Sequence, residues 1–335
     1  MKILHLPMEV AGQVGEIVRE LRRQGCQAVA YNWRHNYLQY GHQVLHSDAY
    51  EMINSFETAI EYFDIFHYHT GYTLFRDKSD IRLLAEAGKP IVMHHRGNDV
   101  RMASRAVQGR YGVNPYVYTG DSQPEDQIKR NLEYFARYVS TVLVQDDELY
   151  DYVVDYYPEV HILPRVYDVS KIMPPSPANL AKRPLVVHAP TSRAFKGSDV
   201  IEKTVRGLQR ELEFDYVLVE KRSMAETREI FQAADIVIDQ VLCGMYGNVS
   251  VEAMANGKTV LCYVRPDIVA RLPAGLPIVN ANPDTLYDSL KRVIENPEQR
   301  LELGKRGNEY VRLYHDSAQI IHRLINIYQQ LMTQK

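Results

Sequence analysis

The stretch GNVSVEAMANG, residues 247–257, is followed after Lys258 by the apolar segment TVLCYV, residues 259–264. Glycine opens a short helix, Glu252 sits one turn in, and Asn256-Gly257 closes the helix before a buried strand. Tyr246, Gly247, Asn248 and Val249 then offer backbone N–H groups at the mouth of a sheet. A helix start entered through glycine is an anion site, because its leading amides have no partner inside the helix. A carboxylate one turn further suits a ribose diol. Two other loops carry related chemistry. PTSRAFKG, residues 190–197, sets Arg193 and Lys196 around a helix start directly after the strand VVHA. Two cations beside helix amides hold a diphosphate and neutralise a leaving group. DQVLCGMYG, residues 239–247, follows the strand DIVI, and Gly244 and Gly247 let backbone approach a ligand. Each feature alone has a plainer explanation: a solvated helix start, a tight turn, a carboxylate that suits the helix dipole. Their occurrence in order, each at the end of a strand of one sheet, favours a nucleotide-sugar site.

Such loops need a rigid scaffold. Short apolar runs at 2–6, 28–31, 65–69, 91–94 and 141–144 alternate with helical periodicity at 15–24, 49–62, 81–87 and 126–139. The second half repeats the scheme, with strands at 185–189, 216–219, 236–238 and 260–263 and helices at 200–212, 224–233 and 249–255. Strands separated by helices pair in parallel, since a parallel neighbour needs a crossover. The proline-rich segment 168–184, with Pro174, Pro175, Pro177 and Pro184, reads as a linker. The expected organisation is therefore α/β: two Rossmann-like, doubly wound domains facing a central cleft, one over 1–168 and one over 169–315. A helical tail, broken near His315-Asp316, has its last part, 316–335, packing back on the first domain. In open parallel sheets, ligands bind beyond the carboxyl ends of the strands. The long stretch 98–123, with Arg101, Arg105, Arg110, Tyr111, Tyr116 and Tyr118, leaves a strand end and reads as a substrate loop of the first domain.

Bulk composition narrows the classes. The chain has 335 residues, 45% hydrophobic and 24% charged, which suits two globular domains. A net charge of −3 gives no polycationic footprint for nucleic acid. The three cysteines, Cys26, Cys243 and Cys262, form no CxxC pair, which argues against a disulfide scaffold or zinc cluster and suits a reducing cytoplasm. No signal peptide or membrane-spanning run is evident, and peripheral membrane attachment stays open. The acidic run Asp146-Asp147-Glu148 reads as helix capping rather than metal binding. The 24 tyrosines, clustered at 111–118 and 149–157, read as core and subunit contacts, with a sugar-stacking surface as the alternative.

With these motifs in view, the chain resembles the retaining GT-B glycosyltransferases, specifically glycosyltransferase family 4 ("glycosyl transferases group 1"). The resemblance is strongest from 185 to 264. Arg193 and Lys196 match the family's Arg…Lys pair and would bind the diphosphate. EAMANGKTV matches the later part of the family's Glu-x7-Glu pattern, so Glu252 would bind the ribose hydroxyls. The earlier Glu, which touches the transferred sugar, falls at Gly244, leaving Asp239, Gln240 or the backbone of 244–247 to take its place. ILHLPMEVAGQVGEIVREL resembles the family's opening strand, glycine loop and first helix, with Gly12 near the donor phosphate or acceptor. DIFHYHTGY and PIVMHHRGNDVR resemble D-I-x-H-x-H and HGSD-x-R segments. Arg96 stands where the family has His, so either His95, one position away, or Arg96 itself would serve at the reacting centre. HILPRVYD has Arg165 where Asn is common. Base contacts would come from 219–223.

The resemblance implies transfer of a hexosyl unit, with retention, from a UDP- or GDP-sugar to a hydroxyl of a glycan, protein or lipid-linked acceptor. No cofactor and no metal are expected. A homo-oligomer stays open. The alternatives are a nucleotide-sugar epimerase of the same fold and a non-catalytic scaffold subunit.

Overall fold

The structure, a computed structural model, describes residues 1–33, 43–107, 114–175, 180 and 182–333. The chain forms two compact units. One comprises Met1–Met102, Gln123–Val166 and Ser317–Lys335, the other Ala103–Ser122 and Tyr167–Asp316. Compared with the expected first domain over 1–168, residues 103–122 and 167–168 belong to the second unit.

In the first unit, among the described residues, seven parallel strands lie in the order β3-β2-β1-β4-β5-β6-β7. They are β1 (Lys2–Leu6), β2 (Gln27–Asn32), β3 (Leu45–His46), β4 (Ile65–His69), β5 (Ile91–His95), β6 (Thr141–Val144) and β7 (Glu159–Ile162). Two of these, β3 and β7, carry no sequence signal. The first is two exposed residues, and the second reads EVHI with every position only half-buried. The helices Gln13–Arg23 and Ser317–Thr333 contribute to one apolar cluster in which Val14, Ile17, Ile321 and Leu324 pack with Ile3 and Ile65. The expected helix 49–62 is two pieces, Ala49–Asn54 and Phe56–Tyr62. At the junction the Ser55 hydroxyl donates back to the Glu51 carbonyl at 3.0 Å, a local bond that competes with the helical ladder.

The second unit's sheet runs β12-β11-β10-β8-β9, all parallel among the described residues. Its strands are β8 (Leu185–His188), β9 (Asp215–Leu218), β10 (Ile236–Ile238), β11 (Thr259–Cys262) and β12 (Ile278–Asn280). Val187, Val237 and Val260 enter one apolar layer, and Val186, Ile236, Ile238 and Leu261 the other. A sheet covered on both faces explains why these strands read as unbroken apolar runs. The segment expected as a linker packs on this unit: Met173 N–H donates to the Ala255 carbonyl at 2.9 Å, and Val169–Lys171 forms a 3-10 turn. Pro177 lies outside the described residues. The tail is two helices, Pro297–Tyr314 and Ser317–Thr333, and the chain passes between units at the break.

Each sheet reverses its winding beside its first strand. In the first unit the reversal lies between β1 and β4, in the second between β8 and β10. Loops leaving the carboxyl ends of these pairs flank a crevice suited to a ligand.

Candidate functional site

In the second unit the loops after β8 and β10 meet at the reversal. Ser192 caps the short helix Arg193–Lys196, accepting from Phe195 N–H at 3.2 Å. Lys196 is buried, and its Nζ donates to Asp239 Oδ1. Asp239 Oδ2 accepts from Gly247 N–H at 2.9 Å and from Ser250 Oγ at 2.7 Å. Burial alone would raise this carboxyl, but the Lys196 ammonium and the hydrogen bonds hold it below the ordinary carboxylate range. Val241 N–H donates to the Lys196 carbonyl at 3.1 Å, so backbone also joins the two loops. A Cβ added at Gly247 would stand 3.2 Å from Lys196 Nζ, which puts the ammonium against the residue that opens the helix Asn248–Ala255. Among the described residues, no side chain caps the leading amides of that helix. Glu252 lies in the same helix, half-buried.

The structure thus brings Lys196, Gly247 and the helix of Asn248, Val249 and Glu252 together. It overturns the expectation for Asp239 and Gln240, and it shows where the Tyr246 and Arg193 side chains lie. Asp239 and Gln240 are not available to a sugar: both Asp239 oxygens are engaged, and the Gln240 side-chain amide donates to the Met245 carbonyl. The Tyr246 side chain is core, 4% exposed, with its hydroxyl 3.2 Å from His315 Nε2. Arg193 is turned to carboxylates, with Asp199 at 3.0 Å, Glu202 at 2.5 Å and Glu220 at 3.2 Å. The hydrogen bond to Glu202, followed by those to Asp199 and Glu220, raises its pKa further.

Gly244 has a steric cause. Any Cβ there would overlap the Arg265 methylenes. Arg265 is 1% exposed and fixed to Asp267 by Nε at 3.0 Å and NH2 at 2.7 Å. The volume a side chain at 244 would need is already filled.

In the first unit, Gly12 takes the left-handed conformation, φ 76°, at the start of Gln13–Arg23. The expected anion there is supplied by the chain itself. The buried Glu9 accepts from Val14 N–H at 3.1 Å and Gly15 N–H at 2.8 Å. A phosphate at those amides would have to displace it. Burial raises the Glu9 pKa against these bonds and the nearby Arg96.

His5, His67, His69 and His94 meet behind the first reversal, all fully buried. Arg96 can only donate, so His69 Nδ1 accepts from it at 3.4 Å. His69 Nε2–H then donates to His5 Nδ1 at 3.1 Å, which leaves the proton of His5 on Nε2, buried without a partner. His5, His67 and His69 form the one trio of potential metal ligands within 4.8 Å of one another among the described residues. Their rings stack, with centroids 4.4–5.4 Å apart and planes within 17–30°, instead of converging on a point. With a guanidinium at His69, this geometry fits a chain of neutral rings better than a cation site.

His95 is 1% exposed and held on both sides, by Asp99 Oδ2 at 2.7 Å on Nδ1 and by the Tyr157 hydroxyl at 3.1 Å on Nε2. Arg96, 8% exposed, contacts Gln145 at 3.4 Å, and burial brings its pKa down to about 9. Arg165 pairs with Asp146 at 2.9 Å, Asp146 caps the helix Asp147–Val153, and Glu148 pairs with Arg101 at 2.8 Å, so the acidic run has structural work. Sequence reading missed Asp239 as the partner of Lys196, although the spacing of Asp239, Gly247 and Ser250 offered a faint signal. It gave no signal for Asp99 with Tyr157, which lie 58 positions apart.

No protein-family description matches the chain, and no curated protein sequence matches it. Solved structures do. The chain is similar to Anabaena HepE in complex with UDP and glucose, at 13% identity and TM-score 0.70, covering 98% of this chain and 100% of that one. It is similar to sucrose-phosphate synthase of Thermosynechococcus elongatus, at 13% identity and TM-score 0.64, covering both chains fully. It is similar to the catalytic domain of Arabidopsis thaliana starch synthase IV bound to ADP and acarbose, at 11% identity and TM-score 0.66, covering 99% of each. The fold, two parallel sheets with surrounding helices, matches these GT-B glycosyltransferases.

Proposed function

We propose that the chain is a GT-B glycosyltransferase of the family 4 type, moving a hexosyl unit from a nucleoside diphosphate sugar to an acceptor hydroxyl with retention. The observation that carries this is Lys196, buried and aimed by Asp239 at the glycine that opens an uncapped helix, at the winding reversal of a parallel sheet. The nucleotides and nucleotide sugar named with the neighbouring structures support it by analogy.

In this reading the anomeric carbon–phosphate oxygen bond breaks and charge grows on the departing diphosphate. Lys196 and the leading amides of Asn248–Ala255 stabilise that charge, and loss of one such contact costs on the order of 10²–10³ in rate. Glu252 holds the ribose hydroxyls. Arg193 joins if the diphosphate displaces its carboxylates. The acceptor oxygen bonds to the carbon on the face the phosphate leaves, and its proton passes to that phosphate. This step requires neither an enzyme base nor a metal. The test is a thermal-shift screen with UDP, GDP and their hexoses, then a donor-hydrolysis assay with and without EDTA. A shift with one nucleotide and chelator-insensitive hydrolysis are expected. Binding without hydrolysis or transfer would favour the scaffold reading, and a C2-epimer from donor alone would favour the epimerase.

A further inference from the structure

The stretch 114–121 is separated from the second unit's main segment by the first-unit chain Gln123–Val166, yet it is built into the candidate site. It braces both site loops. Asn114 Oδ1 accepts from Gly244 N–H at 3.0 Å, and Tyr116 N–H donates to the Leu242 carbonyl at 3.0 Å. Asp121 Oδ2 accepts from Ser192 Oγ at 2.5 Å, and Ser192 is the cap of the helix that carries Lys196. The Tyr116 ring lies 5.0 Å from that of Phe195, in the same helix. Asn114 and Tyr116 are both 0% exposed.

The strap is rigid on its own account. Asn114 N–H donates to the Ala106 carbonyl at 3.0 Å, and Pro115–Thr119 forms a 3-10 turn stopped by Gly120 at φ 74°. Gly244 meets Arg265 on its Cα side and Asn114 at its amide. The loop that leads to Gly247 is therefore held from two directions.

We infer that Asn114 and Asp121 are positioning residues of the donor site: Asn114 sets the 242–247 loop, and Asp121 sets Lys196 through Ser192. The inference rests on the nucleotide-sugar reading above. A brace that served folding alone would alter stability and leave ligand affinity untouched. A positioning role moves affinity and is rescued by any side chain that keeps the acceptor oxygen.

The test compares Asn114→Ala and Asp121→Ala with Asn114→Asp and Asp121→Asn. Hydrogen exchange on the peptides covering 242–247 and 192–197 is read without ligand, and UDP and GDP affinity is read by calorimetry. Each alanine variant is expected to speed exchange in its own loop and to weaken the bound nucleotide about tenfold, the scale of one buried hydrogen bond. The conservative variants should stay within about twofold of wild type on the same scale. Unchanged exchange in the alanine variants overturns the inference with or without nucleotide, as does equal loss in alanine and conservative variants. If one alanine variant fails to fold, the other contact decides. If exchange responds as expected but wild type binds neither nucleotide, the nucleotide-sugar reading fails and the donor role of the strap falls with it.

Discussion

At the scale of single residues, the second unit's candidate site centres on a buried lysine held by one carboxylate. Replacing Lys196 with Ala strands Asp239 as a buried charge, and breaking such a pair costs about 3–5 kcal/mol. Glu252 is half-buried. Glu252→Ala is the second probe: read against its own unliganded melting temperature, it should strongly reduce the nucleotide-induced melting shift. A full shift in this variant would remove Glu252 from the site. Gly244 makes the opposite prediction. Installing Glu there, as the resemblance to family 4 would suggest, forces the side chain into Arg265 and should destabilise the fold by about 1–3 kcal/mol without raising donor binding. Urea unfolding of Gly244→Glu at wild-type stability would show that Arg265 yields easily.

At the scale of elements, the two helix starts that look alike in sequence do different work. Gln13–Arg23 begins at a glycine and is capped by Glu9, whereas Asn248–Ala255 begins at a glycine and, among the described residues, no side chain caps its leading amides. Glu9→Ala should cost about 0.5–2 kcal/mol as a lost cap. The matching measurement is chemical denaturation, with added phosphate as the second arm. If phosphate at millimolar concentration restores the loss in Glu9→Ala and does nothing for wild type, the helix start is an anion site that the chain fills by itself. A variant as stable as wild type would mean the cap contributes nothing.

At the scale of the whole molecule, buried histidines set the response to acid. Burial, the first cause in each case, lowers the pKa of His5 to about 3 and of His188 to about 4, and holds His67, His69 and His94 well below their ordinary value of 6.5. Above 6.5 the rings are neutral in both folded and unfolded chains. Below it the unfolded chain takes up protons that the folded chain refuses, so stability falls. Each ring contributes up to about 1.4 kcal/mol per pH unit, down to its folded value. Glu9, Asp80 and Asp235, raised by burial, act in the opposite sense as pH falls through their folded values. Asp99 and Asp239, held low, add a loss below 3.8. The melting temperature should therefore drop steeply between pH 6.5 and 5. A flat calorimetric profile over that range would mean the cluster takes up protons without cost.

The sequence alone determined the α/β class, most strands, and the three loops of the second unit, because fully buried parallel strands leave unbroken apolar runs and because glycine and cation loops sit directly at their ends. It also marked Lys196, Gly247 and Glu252 as candidates, each from the motif of its own loop or helix. Tertiary structure alone decided that Asp239 serves Lys196, that Arg265 forbids a side chain at 244, that Glu9 occupies the first helix start, and that residues 103–122 belong to the second unit. The sequence motifs record what a residue's near neighbours require. A hydrogen bond between Asn114 and Gly244 joins positions 130 apart, and no periodicity or spacing along the chain encodes it.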